Sequence, residues 1–395
     1  NLPSIKNIYG ASIIMSMALF PYIFLLTKAQ LSYVGAGLFK AAKSLGDSNL
    51  TAIRRVIIPS IKPAIYAGMA LVIFETISDF GGVSTLRVET FTVGIYDAWF
   101  GYQNYFSAAR LAGYLLIFVL FIIFLNRYLG AKSATLATKT AETFERIELS
   151  TLSQCTFTIM CALLFIVIFC VPLTQLMIWH FGEIESTFYQ NFDIFFNSLL
   201  IGISAAIFTV FFAMSLSLSY KKSKFLRPII SISSSGYAVP GSVISAGLLV
   251  GFDFLFNTSI TLYGIFGLIL CLSLRFMTPA FNYISSSLAN ISKSSENALT
   301  TYSKNSFKAF TLFYLPQMRP AISLGIMIVF IESIKEQPAT LLLRPVGFDT
   351  LSTKIYNYTS EGQWEMASGP SLLLIFLSLI FVYLINKNLD LNKNI

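Results

Sequence analysis

Four carboxylates sit in strongly apolar surroundings: Glu75 and Asp79 near the end of one hydrophobic run, Glu332 and Glu336 near the end of another. A charged side chain at the centre of a bilayer costs roughly 2.5–3.5 kcal/mol on insertion scales, so acidic residues in such runs are candidates for function. Within each pair the residues are four apart, which on a continuous helix puts both carboxylates on one face. Carboxylate oxygens suit hard cations, and such a face reads as a candidate lining for a path across the membrane. The competing reading is structural. Lys335 lies within a turn of Glu332, and Arg87 and Arg344 follow in the adjoining segments, so the acids can equally pair near helix ends and hold the chain together. Other reactive residues offer less. His180, beside Trp179, has no convergent partners for a metal. Cys155, Cys161, Cys170 and Cys271 stand in apolar runs without a C-x-x-C pair and read as small buried hydrophobes. No phosphate-binding glycine loop of the Walker type is present, so ATP hydrolysis is not expected in this chain.

The elements that must position these residues are membrane spans. Of 395 residues, 55% are hydrophobic and 12% charged, and the mean hydropathy is +0.71. An ordinary globular domain has roughly 25% charged residues, and a soluble protein this apolar could not cover its own surface. A disordered or nucleic-acid-binding chain is excluded by the same numbers, despite a net charge of +8. The expected fold is therefore all-α, a polytopic helical bundle. At about 20 apolar residues per crossing, spans fall near 8–27, 63–80, 106–126, 153–178, 194–219, 228–252, 261–285, 320–337 and 367–386. Every second loop is basic, with Lys40, Arg54 and Arg55 after the first span, Lys221, Lys222 and Arg227 after the fifth, and Lys387 after the last. The positive-inside rule then places these loops and the C-terminus in the cytoplasm, and Asn1 outside. Pro240-Gly241 predicts a kink or unwound turn, and Gly247-x-x-x-Gly251 predicts close helix packing. Trp99, Tyr102, Trp179 and Trp364 read as interfacial anchors.

The chain also repeats itself. At a fixed offset of 257, Ala41, Ala52, Pro59, Pro63 and Gly68 recur as Ala298, Ala309, Pro316, Pro320 and Gly325, and Glu75 falls on Glu332. Each copy is followed by an Ile-Tyr dipeptide (Ile95-Tyr96 and Ile355-Tyr356) and a final span. The implied organisation is a first half over 1–127, a linker over 128–152 and a second half over 153–395. The first half has three spans and the second six, so three helices are expected before Asn1, and the chain reads as N-terminally incomplete.

Ahead of each repeated span lies a basic loop too long to be a mere connection. In the first copy, Lys40–Leu45 has helical composition, Gly46 interrupts it, and Ser48 is placed to cap a second short helix from near Leu50 that ends at Ile58-Pro59. A helix–turn–helix on the cytoplasmic face results, serving either as a docking element or as an amphipathic anchor.

The segment AAKSLGDSNLTAIRRVIIP resembles the EAA loop of binding-protein-dependent ABC importer permeases, and NALTTYSKNSFKAFTLFYLP resembles a degenerate second copy. The stretches DFGGVSTLRVETFTVGIYDAWFGYQNYFSAARLA, YAVPGSVISAGLL and KEQPATLLLRPVGFDTLSTKIYNYTSEGQWEMASGP are similar to fused ferric-iron permeases, so the resemblance covers nearly the whole chain. It implies a MetI-like transmembrane fold and a permease subunit, multi-pass in the bacterial inner membrane, that translocates ferric iron. The implied partners are a cytoplasmic ABC ATPase dimer, an extracytoplasmic iron-binding protein and membrane lipid, with no nucleic acid. No cofactor is implied in this chain, since ATP and Mg would belong to the partner. The implied ATPase-coupling positions are Ala41, Ala42, Gly46, Pro59, Ala298, Ser303 and Pro316, with Lys40 and Asn297 where the family has an acid. Thiamine, sulfate or phosphonate import stays open on the same residues, as does a secondary transporter driven by an ion gradient.

Overall fold

The computed structural model describes residues 4–131, 150–182, 187–257, 264–292, 294–295 and 306–393, and among these every regular element is helical. The linker expected over 128–152 lies largely outside the described residues, as do Ala298 and Ser303. Each of the nine expected spans coincides with a long apolar element. Seven are single stretches: Ile8–Leu31, Asn49–Ser78, Tyr105–Leu125, Thr151–Gly182, Phe192–Lys222, Phe310–Lys335 and Trp364–Lys387. Two are bent, Arg227–Ala238 with Gly241–Phe256 at 117° and Ile265–Arg275 with Met277–Asn290 at 54°. The first bend is the one Pro240-Gly241 predicts, with Pro240 extended at ψ 143°. The second, at Phe276, has its cause in Pro279, whose ring cannot sit beside the Arg275 carbonyl in a regular helix.

The chain forms two compact units, one of residues 1–91 with 113–175 and one of 92–112 with 176–395. In the first unit, α1 (Ile8–Ser44) packs along α3 (Ile58–Ser78), preceded by the one-turn α2 (Asn49–Ala52). Contact is close because Gly68 carries no Cβ; one built there would stand 2.7 Å from the Ile23 Cα. Ile57 and Ile61 are buried against Leu31, Leu38, Phe39 and Ile65 at the basic end of this pair. The helix α4 (Gly81–Thr85) follows α3; the chain then passes through the second unit with α5 (Phe91–Tyr96) and the start of α6 (Tyr105–Ala131), and the rest of α6 returns to the first. The next span consists of α7 (Thr151–Phe165) and α8 (Val171–Gly182), neither with a buried side chain. Cys155 and Cys161 are accordingly exposed, which corrects the buried reading; only Cys271 is fully buried. On a span with no buried side chain, apolar side chains are satisfied by lipid.

The second unit is built around α9 (Thr187–Lys222). Against it pack α12 (Ile265–Arg275), α13 (Met277–Asn290), α15 (Leu315–Lys335) and α18 (Trp364–Lys393). Gly202 of α9 faces Phe330 and Ile334, and Phe330 stacks on Phe381 with ring centroids 4.0 Å apart. The close packing expected at Gly247 and Gly251 of α11 (Gly241–Phe256) is not found, since nothing lies within 4 Å of a Cβ at either. The remaining elements are α10 (Arg227–Ser233), α14 (Ser306–Ala309), α16 (Pro338–Leu343) and α17 (Leu351–Ser360).

The sequence repeat is a structural repeat. Helix Asn49–Ala52, a π-turn Ile53–Ile57 and helix Ile58–Ser78 recur at the same offset as Ser306–Ala309, Phe310–Tyr314 and Leu315–Lys335. In each copy a proline, Pro59 or Pro316, follows the π-turn by two residues. Proline has no N–H to give the carbonyl four residues back and its ring crowds that carbonyl. Widening the turn by one residue relieves both problems, and Ile58 N–H bonds to Ile53 O instead.

Candidate functional site

The four carboxylates lie near the ends of two homologous helices. Helix α3 ends at Ser78, and Asp79 is already extended with ψ 137°; α15 ends at Lys335, and Glu336 is extended with ψ 119°. The spacing of four therefore does not put either pair on one helix face, because the second member of each has left the helix. Asp79 turns onto the next helix, its Oδ2 accepting from Val83 N–H at 2.9 Å. Glu332 pairs with Lys335 at 2.9 Å, as the structural reading expected.

Glu336 pairs with Arg275 at 3.1 Å, and the two side chains are 6% and 8% exposed. Its backbone carbonyl accepts from Thr340 Oγ1 at 2.8 Å and from Ser352 Oγ at 3.1 Å. Gly241 lies against this pair so closely that a Cβ would overlap Glu336 Oε1. The break at Pro240-Gly241, the bend at Phe276 and the end of α15 thus meet at one buried ion pair.

The second region is the tip between α1 and α2. Helix α1 runs unbroken to Ser44, and Gly46 closes it at φ +94°. Gly46 N–H bonds to Lys43 O at 3.0 Å and Asp47 N–H to Ala42 O at 3.1 Å, the paired bonds of a Schellman cap. Ser48 caps α2 as expected, its side chain accepting from Thr51 N–H at 3.3 Å. Ala42 and Ala52 are buried beneath the turn, whereas Leu45 is 89% and Leu50 58% exposed. Ala41, one residue earlier on α1, is exposed. The second short helix does not end at Ile58-Pro59. Pro59 sits in the first turn of α3, where a missing N–H is tolerated, and one helical rod continues from Asn49 to Ser78. In the second copy Pro316 holds the same place in α15.

The third region was not predicted. A cavity of about 1110 Å³ opens in the second unit, at the end away from Lys221 and Lys222, with Tyr96, Trp99, Tyr105, Asp253, Arg344 and Asp349 in its wall. Trp99 packs on Tyr105 at 4.5 Å between centroids, so it lines this cavity. Arg344 is ion-paired with Asp349 and donates to Thr353 Oγ1 at 3.2 Å. Burial lowers its pKa. Behind the wall, the Tyr96 and Tyr356 rings meet edge to face, 5.7 Å apart, with their hydroxyls hydrogen-bonded. Burial raises the pKa of both phenols, so both are neutral. The sequence signal for this pair was the repeated Ile-Tyr dipeptide, noted as a repeat marker and not as a site.

Residues 6–134 match the family described as binding-protein-dependent transport system inner membrane component. Over 394 residues, 97% of this chain and 77% of the relative, the sequence is 28% identical to the Fe(3+)-transport system permease protein FbpB 2 of Haemophilus influenzae. It is 31% identical over 202 residues to the ferric transport system permease protein FbpB of Actinobacillus pleuropneumoniae, covering 47% of this chain and 29% of that one. Relatives named for 2-aminoethylphosphonate transport in Salmonella match over 56% of the chain at 24% identity.

Proposed function

We propose that this chain, a member of the binding-protein-dependent transport system inner membrane component family, is the permease subunit of a bacterial ABC importer for ferric iron. It works with a cytoplasmic ATPase dimer and an extracytoplasmic binding protein, and it is not itself an enzyme. The observation that carries the transport reading is the duplicated short helix, π-turn and span. A secondary transporter has no use for the same short helix and π-turn placed twice ahead of a span. The choice of iron rests on the names of relatives matched over 97% and 47% of the chain.

The geometry supplies a coupling route. The apolar tip at Leu45 and Leu50 is suited to seating in a cleft on the ATPase. From it, the rod Asn49–Ser78 runs 30 residues, about 45 Å at 1.5 Å per residue. Packing of Ile57 and Ile61 onto α1 makes the two helices move together. In the second unit, α15 is followed directly by Glu336, whose ion pair and carbonyl contacts tie it to the bent helices and to α17. A displacement of α15 is therefore delivered to the cavity wall. In this reading the basic loops and C-terminus face the cytoplasm, the cavity faces outward, and residues 1–127 and 153–395 form the two permease halves.

The test is complementation in cells stripped of their own ferric importer. Growth on ferric iron should require this chain, its ATPase and its binding protein together. Growth with the chain alone would refute the reading.

A further inference from the structure

We infer that Tyr96 and Tyr356 form a ferric-ion relay site in the outer wall of the path. This rests on the ferric reading of the preceding section. A trivalent, strongly acidic ion calls for hard anionic oxygen donors. Of the four candidate acids, three are engaged elsewhere: Asp79 caps the following helix, Glu332 is held by Lys335 and Glu336 by Arg275. The two tyrosines instead come from corresponding dipeptides of the two repeats, and their rings meet 5.7 Å apart. Phenol oxygens already sharing one hydrogen bond are close enough to take one ion between them after a small opening.

Asp97 acts electrostatically on both phenols, and Arg344, which also acts on Tyr96, is ion-paired with Asp349. The cavity of about 1110 Å³ beside Tyr96 admits an ion that still carries water or a small chelator. The pair is also mounted so that it can respond to coupling. Tyr96 ends α5, whereas Tyr356 stands on α17, which is bonded through Ser352 to the carbonyl of Glu336 at the end of α15. Movement of α15 shifts one phenol relative to the other, closing the site on the ion or releasing it. On binding, each phenol gives its proton to cavity water, the phenol–phenol hydrogen bond breaks, and two iron–oxygen bonds form; on release the protons return and no electron is transferred.

The experiment uses the assembled permease–ATPase complex without its binding protein, with ferric nitrilotriacetate as probe. A visible phenolate-to-iron charge-transfer band is expected in the wild type and absent in Tyr96→Phe and Tyr356→Phe. With binding protein restored, both variants should lose at least tenfold in uptake while keeping assembly and stimulated ATPase, and Tyr102→Phe should match the wild type. Iron uptake by the wild type with no such band overturns the site, as does unchanged uptake in both variants. So does a band that survives both substitutions, or loss of assembly in the variants without loss of the band. Failure of the wild type to move iron at all, with ATP-driven uptake of another substrate, overturns the ferric reading instead.

Discussion

Replacing Gly46 with valine separates backbone conformation from side-chain contact at the tip. Gly46 holds φ +94° and has open space around it, with nothing within 4 Å of a built Cβ. Any penalty therefore comes from the backbone, not from a clash in this chain. A β-branched residue in the left-handed region costs roughly 1–2 kcal/mol. If the valine escapes by leaving that region, the bonds from Gly46 N–H to Lys43 O and from Asp47 N–H to Ala42 O are lost, each worth about 1 kcal/mol. Either way the capped tip is depopulated by a factor of about 5–30. Uptake in proteoliposomes should fall by that order in Gly46→Val, with ATPase activity no longer stimulated by the loaded binding protein. Gly46→Asn should behave like the wild type, since asparagine tolerates this conformation. Equal assembly of all three is checked by co-purification with the ATPase. Wild-type uptake in Gly46→Val would refute the reasoning. Equal damage from asparagine and valine would too, by pointing to steric contact with the partner.

The remaining expectations concern the acids and caps. Arg275→Met leaves Glu336 buried without its partner and should destabilise the protein by about 3–5 kcal/mol; in thermal unfolding in detergent, Arg275→Met with Glu336→Gln should recover at least half of the lost transition temperature, and no recovery would contradict the pairing. Gly241→Ala should damage the same pair, because its Cβ would overlap Glu336 Oε1, and a fully active, equally stable variant would count against that contact. Asp79→Asn should keep transport, since an amide oxygen can still accept from Val83 N–H, whereas abolished uptake in a folded variant would return Asp79 to the path. Glu332→Gln should change stability by less than about 1 kcal/mol, as expected of a partly exposed pair, and a larger shift in the unfolding midpoint would contradict this.

Hydropathy made all nine spans legible, because length and apolarity are what a bilayer demands of a helix. The bend at Pro240-Gly241 was legible for the same kind of reason, a local rule broken by a local residue. The bend at Phe276 was missed although Pro279 announces it, since the proline lies beyond the bend, in the first turn of the next helix. Gly46 and Ser48 could be placed from sequence because caps are set by the residue that makes them. The end point at Pro59 could not, because a π-turn lets a proline follow without a break. The carboxylate face failed for a sharper reason: helix periodicity holds only inside a helix, and Asp79 and Glu336 each stand one residue past the end. No local pattern reports that Glu336 meets Arg275, 61 residues away in the chain. The same holds for Tyr96 and Tyr356, visible as a repeated dipeptide but brought into ring contact only by the fold.

The central claim, ATP-driven import of ferric iron, is tested most directly by radiolabelled iron uptake into proteoliposomes. These would hold the permease with its ATPase, ATP being supplied on the ATPase side and loaded binding protein on the other. The account predicts iron accumulation that needs both ATP and binding protein and that is indifferent to collapse of ion gradients. Uptake driven by an ion gradient without the ATPase would contradict it.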